Sequence, residues 1–177
     1  MKKVFGILFV YCLFFNSSFA QKFGYVDTDY ILNQMPEYQE AQAEIETLSK
    51  GWEEEIKKMY KELQAKEAEL QAEEVLLTKE MRDERRLEIN KKWDEVKEYQ
   101  KQVFGFEGLF FLKKIELIKP VQDRVFDGVE RVAKTYRLQI VFDKSGDLIM
   151  IYTDPIHDYT DYVLEELELG DENDVIK

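Results

Sequence analysis

From Glu37 to Val103 apolar side chains return at helical intervals, in a stretch with no Pro and a single Gly, Gly51. In its first half Ile45, Leu48, Trp52, Ile56, Met59, Leu63 and Leu70 follow steps of three and four, and Glu67 stands where the next apolar residue is due. The same face returns every eleven residues (Ile45, Ile56, Glu67). That period is nearer the natural helix repeat than seven is, and it favours a nearly straight or slightly right-handed coil. The stripe is narrow, and its Glu, Lys and Gln flanks are not buried cheaply in a globular core. Such a helix wants one or two partners and no more.

The pattern breaks at Val75-Leu76-Leu77-Thr78, where Thr78 reads as the N-cap of a new helix. A second stripe follows: Met81, Leu87, Trp93, Val96 and Val103. A short connection makes the two helices antiparallel neighbours. Forty helical residues span roughly 60 Å, so the hairpin should project as an arm. Trp52 and Trp93 fall at comparable heights if the turn lies near Thr78, and mutual packing is expected of them.

On either side of the arm the elements are shorter. Phe23 to Val26 reads as a strand, and Asp27-Thr28-Asp29 as the turn and N-cap of a brief helix through Ile31 and Leu32. Met35-Pro36 ends that helix and starts the long one. Val103 to Leu112, with four Phe and two Gly, reads as one tightly packed stretch of helix. It is either a core joining arm to base or an apolar surface offered to a ligand. The helical pattern continues through Ile115, Ile118, Val121, Val125, Val129, Val132, Ala133 and Tyr136, across Pro120, which should bend or loosen it. Gly128 weakens it by about 1 kcal/mol relative to Ala. Leu138 to Phe142 and Leu148 to Tyr152 flank a polar loop, Asp143 to Asp147, which predicts a β-hairpin. Asp154-Pro155 ends the second strand. Asp158 to Leu169 forms an amphipathic helix burying Val163, Leu164 and Leu167, with Asp158 or Thr160 at its N-cap.

The fold class is therefore α+β and mostly α, a long antiparallel helical hairpin on a small β body. The expected segments are residues 1–20, a leader; 21–36, the first strand and short helix; 37–112, the hairpin arm; 113–169, the rest of the body; and 170–177, an acidic tail. Three short strands with open edges favour a closed homo-oligomer that removes the edges.

Composition adds a compartment. Lys2 and Lys3, the apolar run Val4 to Phe15 and the small-residue site Ser18-Phe19-Ala20 read as a secretory signal cleaved after Ala20. The run is too short to span the ~30 Å of a bilayer core. Cleavage removes Cys12, the only Cys, so disulfides, thiol catalysis and Cys-based metal sites are excluded. An exported chain without Cys suits a bacterial periplasm or envelope surface. After Ala20 there are 23 basic and 37 acidic side chains, a net charge of −14. That argues against nucleic acid or anionic lipid held through overall charge. A partner would be held by shape and apolar surface.

Candidate chemistry is sparse. Asp143-x-Ser145-x-Asp147 begins like a calcium loop, but Leu148 stands where the sharp turn needs Gly and no Glu follows at the twelfth position. It reads as a turn. His157, the single His, has no nucleophile, phosphate loop or second ligand around it and reads as an exposed loop residue. No catalytic, cofactor or metal residue is expected. Lys79, Arg82, Arg85 and Arg86 form a basic cluster at the hairpin tip, either a contact site or a solubilising cap.

Several stretches taken together resemble the Skp/OmpH family of periplasmic chaperones. Gly24-Tyr25-Val26-Asp27, Ile31-Leu32 and Met35-Pro36-Glu37-Tyr38 look like its opening. Ile118-Lys119-Pro120-Val121, Val132-Ala133-Lys134, Ile140-Val141-Phe142-Asp143 and Asp158-Tyr159-Thr160 look like its closing half. The resemblance covers the chain from residue 21 to Leu169. It implies a trimer with a small strand barrel and helical tentacles around a cavity, which holds unfolded outer-membrane proteins without ATP. The well-known members are basic, and this chain departs from them at −14, so apolar or tip contacts must matter more. On this reading Phe23, Tyr25, Val26, Ile140, Phe142, Ile149 and Ile151 make the trimer interface, and Tyr60, Leu76, Leu77 and Phe110 touch the client. The expected partners are copies of the chain itself, unfolded outer-membrane proteins and, transiently, the membrane or the outer-membrane assembly machinery. The alternative is a structural coiled-coil spacer or adaptor of the envelope that binds a folded partner.

Overall fold

A computed structural model describes residues 21–146 and 149–170. The chain forms two compact units, one of Asp29–Asp127 and one in which residues up to Thr28 join those from Gly128 onward. Residues 29–36 and 113–127 thus belong to the unit that contains the hairpin.

That unit contains α1 (Thr28–Gln34, less its first residue), α2 (Pro36–Glu73), α3 (Lys79–Phe104) and the first part of α4 (Leu109–Tyr136). Pro36 sits in the first turn of α2, where its missing N–H has no helical partner to lose. Thr78 caps α3 as expected, its side-chain oxygen accepting from Met81 N at 3.3 Å. The two long helices pack on each other, with Ile56 and Leu63 buried on α2 and Ile89, Val96 and Val103 on α3.

The second stripe differs from expectation, because Met81 and Leu87 are exposed and Ile89 takes the buried position. Counting back in sevens from Val103 and Val96 reaches Ile89. Leu87 lies two residues off that line, about 200° around the helix. The two Trp residues do not pack on each other either. Trp52 meets Phe104 edge-on at 6.4 Å, and Trp93 meets Tyr60 at 5.6 Å. Lys66–Glu88 at 2.8 Å and Arg86–Glu74 at 3.0 Å share this register. It leaves Trp93 about 16 Å along the helix from the level of Trp52.

Val103 to Leu112 is not one helix, contrary to expectation. α3 stops at Phe104, a turn runs from Gly105 to Gly108, and α4 starts at Leu109. Gly105 N–H donates back to Lys101 O at 2.7 Å, and Glu107 takes a φ of 53°. A Cβ would stand 2.2 Å from Lys101 O at Gly105 and 2.6 Å from Val103 O at Gly108, so both glycines are required for the chain to turn here. Beyond the turn α4 continues through Pro120, with Ile118, Val121 and Val125 buried and Arg124 paired with Glu37 of α2.

The other unit holds β1 (Phe23–Val26), the last turns of α4, β2 (Ile140–Asp143), a 3-10 turn (Pro155–His157) and α5 (Thr160–Glu166). The strands are parallel, in register from Phe23↔Ile140 to Val26↔Asp143. Parallel neighbours need a long crossover, and residues 27–139 supply it. The expected β-hairpin does not form. Residues 149–152 make no strand, Leu148 lies outside the described residues, and the sheet has two strands among those described.

The reason lies in Asp143. Its carboxylate accepts from Thr28 N (3.2 Å), Thr28 Oγ1 (2.6 Å), Ser145 N (3.1 Å) and Ser145 Oγ (2.8 Å). The chain leaving β2 therefore folds over onto the end of β1, and Gly146 does not take the positive φ of a tight hairpin turn.

α5 buries Val163, Leu164 and Leu167 as expected. Its N-cap is Tyr159, with Asp158 one place earlier, where Oδ1 accepts from Thr160 N at 3.0 Å and Thr160 Oγ1 at 2.6 Å. Gly128 lets α5 come close, since a Cβ there would stand 3.0 Å from Leu167 Cδ2. The expected leader and residues 171–177 of the expected tail lie outside the described residues.

Candidate functional site

In the sheet unit the parallel register places Phe23, Tyr25, Ile140 and Phe142 on one face, because paired residues of neighbouring strands point the same way. On the other face Gly24 lies so close to Tyr159 that a Cβ would come within 2.4 Å of its ring. The first face is the open one. Phe23, Ile140 and Phe142 are exposed on it, and Ile149, Ile151 and Tyr152 beside the sheet are more exposed still, Ile151 at 97%. A cleft of about 350 Å³ runs between Phe23, Tyr25, Phe142, Met150 and Tyr152, with His157 at its rim. His157 is half-buried rather than exposed, its ring 4.6 Å from that of Phe23.

The residues expected at an interface between copies thus fall into two groups. Phe23, Ile140, Phe142, Ile149 and Ile151 offer apolar surface, whereas Tyr25 and Val26 are buried within the chain itself. Asp143 braces this face from below the strand end. Burial pushes its carboxyl pKa up, but the hydrogen bonds from the Thr28 and Ser145 side chains and amides outweigh that and hold it below the usual carboxylate range.

In the hairpin unit the four residues expected to touch a client are not brought together. Tyr60 is half-buried in the seam, its hydroxyl donating to Gln100 Oε1 at 2.9 Å and its ring against Trp93. Phe110 is half-buried, 5.8 Å from the ring of Phe104. Leu76 is 85% and its neighbour Val75 94% exposed at the turn between α2 and α3, with Leu77 half-buried beside them.

The basic tip cluster is largely answered by acids at the end of α2. Arg85 pairs with Glu73 at 3.0 Å, Arg86 with Glu74 at 3.0 Å and Arg82 with Glu74 at 3.9 Å, while Lys79 is exposed. Farther along, Glu67 accepts the indole N–H of Trp93 at 2.6 Å, which explains a carboxylate in the apolar stripe. Tyr99 donates to Glu55, and that hydrogen bond raises the phenol pKa.

A further apolar surface of this unit lies in and after the stretch Val103 to Leu112, for which a surface offered to a ligand is one of the two sequence readings. It is the turn after α3 and the start of α4, where Phe106 is 96% exposed and Leu109, Phe111, Leu112 and Ile115 are exposed as well. Its signal was the density of Phe with Gly between Val103 and Leu112. A continuous helix could have buried those rings, but the Gly105–Gly108 turn throws Phe106 outward. No cluster of His, Cys, Asp and Glu able to hold a metal occurs among the described residues, and no described helix is long and apolar enough to cross a membrane.

Comparison with known proteins places this architecture. A protein of Aquifex aeolicus (strain VF5), itself uncharacterised, is 31% identical over 170 residues, covering 95% of this chain and 97% of that one. The crystal structure of a candidate outer membrane chaperone (OmpH-like) from Caulobacter crescentus CB15 superposes with a TM-score of 0.69 at 10% identity, over 89% of this chain and 90% of that one. The family model described as outer membrane protein (OmpH-like) matches residues 22–167, both strands, the hairpin and α5 included, and the chain belongs to the OmpH-like family.

Proposed function

We propose that the protein is an ATP-independent periplasmic holdase, exported by a leader cleaved after Ala20, that shields unfolded outer-membrane proteins from aggregation. The observation that carries this is apolar side chains left in solvent where a monomer would bury them, on the sheet face and at the start of α4. Exposed apolar patches of this kind mark interaction surfaces. Family membership and the fold shared with the Caulobacter chaperone candidate support the choice of client.

The sheet face, with Phe23, Ile140, Phe142, Ile149 and Ile151, serves in this reading as the interface of a homotrimer. Tyr25 and Val26 support it from within. Phe106, Leu109, Phe111 and Leu112 then join Tyr60, Leu76, Leu77 and Phe110 as the surface for a chain of no fixed shape, held by many weak contacts. The strongly acidic chain makes these contacts apolar rather than ionic.

The test dilutes a urea-denatured outer-membrane barrel into buffer with and without the protein and follows turbidity at low and high salt. Suppression at both salt concentrations is expected. Unchanged turbidity at excess protein would reject a holdase, and tight binding of one folded envelope protein in its place would favour a coiled-coil adaptor. Light scattering of the purified protein reads the trimer directly.

A further inference from the structure

We propose that the exported chain ends in a pyroglutamyl ring formed from Gln21. This rests on the cleavage after Ala20 in the reading above, and deepens it. The fold takes hold of the chain at Lys22. Lys22 O accepts from Gln139 N at 2.7 Å, Lys22 Nζ donates to Tyr136 O at 3.2 Å and lies 5.9 Å from the centre of the Tyr136 ring, and β1 starts at Phe23. Gln21, one residue earlier, is exposed, lies outside every element and enters no hydrogen bond among the described residues. Cleavage at Ala20 would therefore place a free α-amine and a carboxamide on one exposed residue, directly before one that is anchored.

Those two groups are set up to react with each other. The unprotonated α-amine nitrogen attacks the side-chain carbonyl carbon Cδ and forms a C–N bond. The Cδ–Nε2 bond breaks, and Nε2 takes up the amine proton and leaves as ammonia. No electron transfer and no cofactor are needed. Closing a five-membered ring within one residue gains the large advantage of intramolecular reaction, and an α-amine with an ordinary pKa of about 8 is partly unprotonated at neutral pH. The ring replaces an exposed side chain. It also removes the positive charge of the α-amine beside Lys22, whose Nζ lies over the ring of Tyr136 in a cluster with Tyr159 and Tyr162, the rings 4.7 to 5.5 Å apart. A chain so closed offers no free amine to an aminopeptidase at the edge of the strand that begins the fold.

The experiment expresses the full chain with its leader in a Gram-negative host, isolates it from the periplasm and measures the intact mass and the N-terminal peptide. The expected product starts at residue 21, is lighter than the unmodified chain by one ammonia, and resists stepwise N-terminal degradation until pyroglutamyl aminopeptidase exposes Lys22. A product starting at Gln21 whose free amine persists through prolonged incubation at neutral pH would overturn the proposal while leaving the cleavage reading intact. A product starting elsewhere would overturn both. Gln21→Ala should start at the same position with a free amine and no missing ammonia. A loss of ammonia in that variant would remove the assignment from Gln21.

Discussion

One substitution, Gly→Ala, should change sign from site to site along this chain. At Gly51, in the exposed middle of α2, an added Cβ meets nothing within 4 Å. The whole effect there is helix propensity, a gain of about 1 kcal/mol, and for a chain of this size that raises Tm by roughly 2–4 °C. At Gly24 the same methyl lands 2.4 and 2.6 Å from ring carbons of Tyr159 and 3.2 Å from Leu138 Cδ1. Strand and ring must separate, at a cost of about 1–3 kcal/mol typical of overpacking. Gly128 lies between these cases. The helix gains about 1 kcal/mol, but Leu167 Cδ2 at 3.0 Å and Cγ at 3.1 Å must give way, so the two effects should nearly cancel. Thermal unfolding by far-UV circular dichroism, at one protein concentration because assembly shifts Tm, ranks the variants. Hydrogen exchange assigns each change to its unit. The order Gly51→Ala above wild type, Gly128→Ala near it and Gly24→Ala below is required. A Gly24→Ala protein as stable as wild type would refute the close approach of β1 and Tyr159.

Leu63, 1% exposed in the α2–α3 seam, should lose about 2–5 kcal/mol on replacement by Ala, seen as faster hydrogen exchange in peptides of both helices. The Asp143 carboxyl is held below its usual pKa, so its contribution is full above the unfolded value of about 4 and disappears as pH falls through the lower folded value. Asp143→Asn should therefore weaken the sheet unit at neutral pH and flatten the acid limb of its unfolding curve. Phe106→Ser and Leu112→Ser remove exposed side chains and should change stability by no more than about 0.5 kcal/mol, while weakening suppression of turbidity if this surface holds clients.

The hairpin was legible because its information is local. Steps of three and four, a Thr at the break and Pro36 at the start define α2 and α3 with little help from tertiary structure. Register was not, since nothing in the stripe says that Trp93 should meet Tyr60. That follows from where the turn closes and from polar pairs such as Lys66–Glu88, whose charges read in sequence only as solvated faces. The sheet was misread for the opposite reason. Leu148 to Tyr152 has the composition of a strand, but strand pairing is a long-range decision, and Asp143 accepts hydrogen bonds from Thr28, 115 residues away in sequence. The apolar site at Phe106 was hidden by a backbone event, the turn that Gly105 and Gly108 permit. Composition marked the stretch and left open which way its rings would point.

The seam of the hairpin has a consequence for the proposed activity. The buried side chains of α2 are Ala41, Ile56 and Leu63, and those of α3 are Ile89, Val96 and Val103. Besides the Trp52–Phe104 and Tyr60–Trp93 ring contacts and the arginine pairs at the turn, the helices are tied by exposed polar contacts: Tyr60 to Gln100, Glu67 to Trp93, Glu55 to Tyr99 and Lys66 to Glu88. Exposed pairs contribute about 0–1 kcal/mol each, and salt weakens the ionic ones. An arm held this way opens in segments rather than all at once, because losing one tie leaves the buried side chains above and below it in place. A holdase built on such arms accommodates clients of different bulk by local separation of α2 and α3 at little free-energy cost. Filling the seam by Glu67→Leu would add apolar contact while taking the indole acceptor from Trp93, and so would stiffen the arm only if the first effect exceeds the roughly 1 kcal/mol of the second.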